Sequence, residues 1–132
     1  MTIYGGGPFR IYGNLYVSGS IYFGNTVYVE GSIMAGGTIN FTGWDNRFNA
    51  NSAVCIYSAT GDIHLTTAST TATGIVYAPN GTVYLAGNTL TFYGSIVGYQ
   101  VSGIPGNLTM GEPSEPIDFL PGSGTTTIKL VE

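Results

Sequence analysis

The first third of this chain keeps a six-residue period, and few folds accept one. Counting every sixth residue from the third gives Ile3, Phe9, Leu15, Ile21, Val27, Ile33 and Ile39, all large and apolar. Two places further on stand Gly5, Ile11, Val17, Phe23, Val29, Ala35 and Phe41, five of them large and two small. Between the members of each pair lie Tyr4, Arg10, Tyr16, Tyr22, Tyr28, Met34 and Asn40. Two places before each pair the sequence reads Met1, Gly7, Gly13, Gly19, Asn25, Gly31 and Gly37, and Gly43 continues the series.

An in–out–in triplet is the alternation of a β-strand. The recurring Gly or Asn supplies the positive φ that a tight corner needs. A helix is excluded, because a period of six does not follow 3.6 residues per turn and glycine recurs too often. A sandwich is a poorer fit, since its strands are longer and turn less often. The pattern predicts an all-β, single-stranded β-helix (β-solenoid), with three short strands in each coil of about 18 residues. In such a coil residue i lies over i+18, so Ile3 is expected over Ile21 and Ile21 over Ile39, with Tyr4 over Tyr22. The seven apolar residues from Ile3 to Ile39 are the expected core columns.

The clock stops at Trp44. The stretch 44–53, WDNRFNANSA, holds the single Trp and three Asn and reads as a loop insertion. Strand-like pairs then resume at Val54/Ile56, Ile63/Leu65, Ile75/Tyr77, Val83/Leu85 and Leu90/Phe92, while the Thr-rich run 66–74 suits a loop or an outward ladder. The β-helix domain is expected over 1–111. The tail 112–132 begins with a Pro- and acid-rich connector. It ends in TTTIKLVE, a candidate final strand whose apolar residues are Ile128 and Leu130.

Charge narrows the function classes. Charged residues are 8% of the chain, against roughly 25% in ordinary domains. The basic residues are Arg10, Arg47 and Lys129, and the net charge is −4. Nucleic acid therefore finds no basic footprint, and an anionic membrane surface finds none either. No apolar run is long enough to insert in a bilayer. Cys55 is a lone cysteine, expected as a small buried hydrophobe. Asp62 and His64 share a strand face, but the inward Ile63 and Leu65 send both outward, away from any triad. No set of Cys, His and acidic residues has metal-ligand spacing, so no metal, cofactor or catalytic residue is expected, and the chain is not expected to be an enzyme. The sequons at Asn40, Asn80 and Asn107 are near chance frequency.

The segment 74–98, GIVYAPNGTVYLAGNTLTFYGSIVG, carries a family signature. Val76-Tyr77-Ala78-Pro79-Asn80, then Gly87-Asn88, then Tyr93-Gly94-Ser95-Ile96-Val97 resembles the β-helical domain of unknown function found in pilus-associated and cell-surface proteins of bacteria. A more distant likeness is to bactofilins, small β-helices that polymerise end to end. Either resemblance implies a right-handed coil and a place outside the cell or, for the bactofilin likeness, in a cytoplasmic cytoskeletal polymer.

A β-helix has two edges of unpaired N–H and C=O groups, and monomeric repeat proteins cap them. Here the period begins at once, with Ile3 and Phe9 already on it and no capping helix before them. The expected function is therefore a structural protein that assembles head to tail with itself into an extracellular filament. The expected assembly surface comprises the outward Tyr4, Tyr16, Tyr22 and Tyr28, with Ile128 and Leu130 of the tail. The alternative is a surface or fibre-tip module whose Tyr-rich face binds glycan or a cell-surface protein.

Overall fold

Three-residue strands separated by glycine corners cannot pair with their sequence neighbours; they pair with the same segment one coil away. The computed structural model describes residues 1–5 and 7–112. These form an all-β solenoid of about 5 turns, with parallel coils. On the first face stack β1 (Thr2–Ile3), β4 (Ile21–Phe23), β7 (Ile39–Phe41) and β9 (Ile63–Leu65). The second face starts with β2 (Phe9–Tyr12) and β5 (Val27–Glu30), and the third with β3 (Leu15–Val17) and β6 (Ile33–Ala35). Later strands bend around corners. β8 (Asp45–Ser58) covers the second and third faces. β10 (Ser69–Leu85) and β11 (Thr89–Ser102) visit all three, and β12 (Asn107–Gly111) closes the second.

The 18-residue register holds through the second coil: Phe9 pairs with Val27, Leu15 with Ile33 and Ile21 with Ile39. Ile21, Val27, Ile33 and Ile39 are fully buried in continuous columns. Each such aliphatic side chain is worth about 1.5–3 kcal/mol when taken out of water.

Ile3 departs from the expected register. It pairs with Phe23, not Ile21, and Thr2 pairs with Tyr22. Two extra residues in the Gly5–Gly7 corner lengthen the first coil to a 20-residue step, and Asn25 Nδ2 fastens that corner by donating to the carbonyls of Gly5 and Gly7. The sequence held the clue. Gly5 is a poor inward residue, and a shift of two replaces it with Ile3.

The loop expected over 44–53 is also corrected. Residues 45–49 are strand, with Arg47 beside Tyr28 and Phe48 beside Val29. Phe48 is buried against Phe41, ring edge to face, with centroids 4.9 Å apart. The true insertion is smaller. Asn49 aligns with Thr73 and Val54 with Ile75, so the extra residues fall at the corner between the second and third faces. In coils without extra residues, glycine takes this corner: Gly13, Gly31, Gly74 and Gly94 all have positive φ. The long third coil makes a 24-residue step from Thr38 to Asp62, and the next step, Asp62 to Thr82, returns to 20.

The Thr run is strand from Ser69 onward. Thr71 and Thr73 are half-exposed on the outer surface, while Thr70 turns inward and shares a 2.6 Å hydrogen bond with the buried Thr67. Below Thr70 in the same column, Asn46 is buried. Its Oδ1 accepts the Val27 N–H at 2.9 Å, and its Nδ2 has no partner. An inward column that is apolar at both ends thus has a polar middle.

The corners carry a second scaffold of hydrogen bonds. Ser20 Oγ accepts the Thr38 N–H at 3.0 Å, Thr38 Oγ1 accepts that of Asp62 at 3.2 Å, and Asp62 Oδ1 accepts that of Thr82 at 2.7 Å. Each coil therefore offers a side-chain oxygen to a backbone donor of the next, at the places where the strand ladder lapses.

Candidate functional site

Two regions combine exposure with side chains that an isolated solenoid does not need. One is the axial face of the first coil. Phe9 occupies an inward position yet is 39% exposed, and Ile11, Leu15 and Val17 are only half-buried. Their partners one coil on, Val27, Val29, Ile33 and Ala35, are all buried. The difference is one of cover, not chemistry: both sets belong to the same columns, and among the described residues no strand lies beyond β2 or β3 on that side.

The other region is the outer surface of the second face. Parallel pairing places Arg10 beside Tyr28 and Tyr28 beside Arg47. Both guanidinium carbons lie over the Tyr28 ring, at 4.9 Å for Arg10 and 5.2 Å for Arg47. Arg47 also donates to Asp45 Oδ2, at 2.7 Å from its terminal nitrogen and 3.1 Å from Nε. That hydrogen bond, with the Asp45 and Tyr28 charges behind it, raises the Arg47 pKa. A shallow groove continues from here past Glu30 and Asn49 to Thr71 and Thr73. With Asp45 and Glu30 beside the two arginines, the region holds both signs of charge and is a stitched ladder more than an anion trap. The 18-residue step already aligned Arg10 with Tyr28; reading 44–53 as a loop hid Arg47.

The expected tyrosine surface does not form one face. Tyr4 and Tyr22 meet on the first face, with ring centroids 5.8 Å apart. Tyr28 belongs to the second and Tyr16 to the third. Three faces follow one another in each coil, so outward residues six apart are sent in different directions. On the third face Tyr16 aligns instead with Met34, Tyr57 and Tyr77, the last two in ring contact at 5.7 Å. Ile128 and Leu130 lie outside the described residues.

Asp62 and His64 are half-exposed and 3.8 Å apart. Asp62 is engaged in the corner scaffold, and His64 packs beside Tyr84 in the outward column of the first face. Cys55 is buried, and burial pushes its thiol up to about 12. Among the described residues no three His, Cys, Asp or Glu side chains gather as metal ligands, and no helix is long and apolar enough to cross a membrane.

A family pattern, that of the domain of unknown function DUF7305, matches residues 2–110, from β1 to the penultimate residue of β12. The chain belongs to the DUF7305 family. The DUF7305 match thus spans all three solenoid faces and both regions described above. No curated protein and no solved structure gives a significant match.

Proposed function

We propose that this chain is a structural subunit that joins copies of itself head to tail into a filament along the solenoid axis. One observation carries the reading: apolar columns that are buried from the second coil onward reach the first coil with Phe9, Ile11, Leu15 and Val17 uncovered. A further coil, with the same inward pattern, is the surface that fits them, and the last strands of the described solenoid carry such a pattern in Leu90/Leu108 and Phe92/Met110. An uncovered row of core positions is a surface on which a further coil can stack, and a head-to-tail contact does not close on itself. The polar corners and low charge support the same reading, since few like charges would oppose close stacking.

The test is sedimentation and negative-stain microscopy of the purified full chain over a wide concentration range. Fibres that lengthen with concentration are expected. A monomer at every concentration would overturn the reading.

A further inference from the structure

The outer surface of the second face uses its hydroxyls differently from the corners. Its middle outward column is Arg10, Tyr28, Arg47, Thr71, Thr91 and Thr109. Towards the third face runs Tyr12, Glu30, Asn49, Thr73 and Tyr93. Towards the first face runs Asp45, Ser69, Thr89 and Asn107. The six Ser and Thr side chains of these columns sit on β10, β11 and β12 and are half-exposed or exposed. Among the described residues none of the six makes a side-chain hydrogen bond within the protein.

At the corners the reverse holds. The hydroxyls of Ser20, Thr26, Thr38, Thr42, Ser58 and Thr66 each bond the backbone of a neighbouring coil. Those hydroxyls stitch the fold; the second-face hydroxyls do not. β-Branching suits Thr to a strand, but Val would serve a strand as well. The matching outward column of the third face, Tyr16, Met34, Tyr57, Tyr77 and Val97, contains no Ser or Thr.

Exposed rings border the same surface. Trp44, at the corner that leads into β8, is 80% exposed. Across the face stand the exposed Tyr12 and Tyr93. Charge is balanced, with Arg10 and Arg47 against Asp45 and Glu30. Arg47 is bridged to Asp45, while Arg10 and Glu30 border one groove without an ion pair between them. From Arg10 to Thr109 the face spans five strand spacings, roughly 24 Å.

We propose that this surface binds a neutral, extended glycan, a chain of β-1,4-linked pyranoses lying along the solenoid axis. Sugar hydroxyls both donate and accept, as do the hydroxyls they would meet. The C–H faces of a pyranose pack on exposed aromatic rings, whose faces carry partial negative charge. An acidic chain would be opposed by Asp45 and Glu30, and a basic one by Arg10 and Arg47. Equatorial β-1,4 links keep the chain a straight ribbon that can follow a straight column, whereas α-1,4 links coil it away. The surface is on the side wall, so it is open whether or not copies stack end to end.

Titration calorimetry of the full chain with cellohexaose, chitohexaose and maltohexaose tests the site. At least one of the two β-1,4-linked chains should bind with a submillimolar Kd, and α-linked maltohexaose should bind at least tenfold more weakly. Thr71→Val combined with Thr91→Val removes two hydroxyls and keeps the β-branching; it should weaken binding at least fivefold. Trp44→Ala should weaken it by a similar factor. Thr2→Val combined with Ser102→Ala, two outward hydroxyls of the first face, should leave the Kd within about twofold. All five positions lie outside the core, so melting temperatures should stay close to wild type. No binding of either β-1,4-linked chain, equal binding of maltohexaose, wild-type affinity in the threonine pair or in Trp44→Ala, or an equal loss in the first-face control would overturn the assignment.

Discussion

The rings of Phe23 and Phe41, one coil apart, are stacked with 3° between their planes and 5.0 Å between centroids. Both are fully buried, and the same column continues through Leu65 and Leu85. The column therefore accepts two shapes of similar bulk. Phe41→Ala should cost about 3–5 kcal/mol, and Phe41→Leu less than about 1.5 kcal/mol. Urea unfolding of the two variants measures the difference, and equal losses would contradict like-on-like packing.

Gly13 and Gly31 occupy the same corner one coil apart, with φ of 114° and 139°. A Cβ at Gly13 meets open space, whereas one at Gly31 runs into the Gly13 carbonyl. Gly13→Ala should therefore cost only the conformational penalty, about 1–2 kcal/mol. Gly31→Ala should cost clearly more, because the coil contact must also open. Thermal unfolding of both variants gives the ranking.

Cys55 links stability to alkaline pH. Its folded pKa, pushed up to about 12 by burial, lies above the unfolded value near 9.0. The protonated thiol thus favours the fold below pH 9, and this contribution is lost as pH rises from 9 towards 12. The slope is about 1.4 kcal/mol per pH unit for one group. Comparing wild type with Cys55→Ala isolates it from tyrosine titration: the stability gap between the two proteins should shift against wild type across this window. A native thiol that reacts with a disulfide reagent as fast as an unfolded one would contradict the burial.

Asn46 is the polar exception inside. Asn46→Leu would fill the column yet leave the buried Val27 N–H without its 2.9 Å acceptor. A loss of about 1–3 kcal/mol is expected despite the gain in apolar surface. A stabilised variant would show that the orphaned Nδ2 outweighs the Val27 hydrogen bond.

Phe9 separates assembly from folding. It is 39% exposed, so Phe9→Asp should leave the melting temperature nearly unchanged. The same change places a carboxylate where the next copy's apolar column is expected, and pelleting should fall at least tenfold. Unaltered fibres from this variant would reject the first coil as the contact.

Much of the solenoid is written in its sequence because strand alternation and corner glycines are local rules. Those rules place Ile21 over Ile39 without any knowledge of the rest of the chain. They falter where coil length changes. A corner with two extra residues leaves only an indirect trace, a glycine (Gly5) at an inward place, so the six-residue count sets Ile3 over Ile21 where the chain sets it over Phe23. Asn46 and Arg47 look like loop residues because of their polarity, yet the strand is fixed by Phe48 between them and the corner. The tyrosines illustrate a different gap. Their shared outward position is legible, but faces alternate three to a coil, so an outward tyrosine has its neighbours 18 residues away, not six. Arg10 and Tyr28 obey that rule, which makes their contact the part of the outer surface most open to a reader of the sequence alone.

The corner between Asn49 and Val54 separates two dimensions of the molecule. Strands above and below it stay in register while the chain there takes a detour, so pitch belongs to the strands and girth to the corners. Sequence can be added at that bend without lengthening the rod. A solenoid built on this plan can change its outline, and what it displays sideways, while keeping the same stride along its axis.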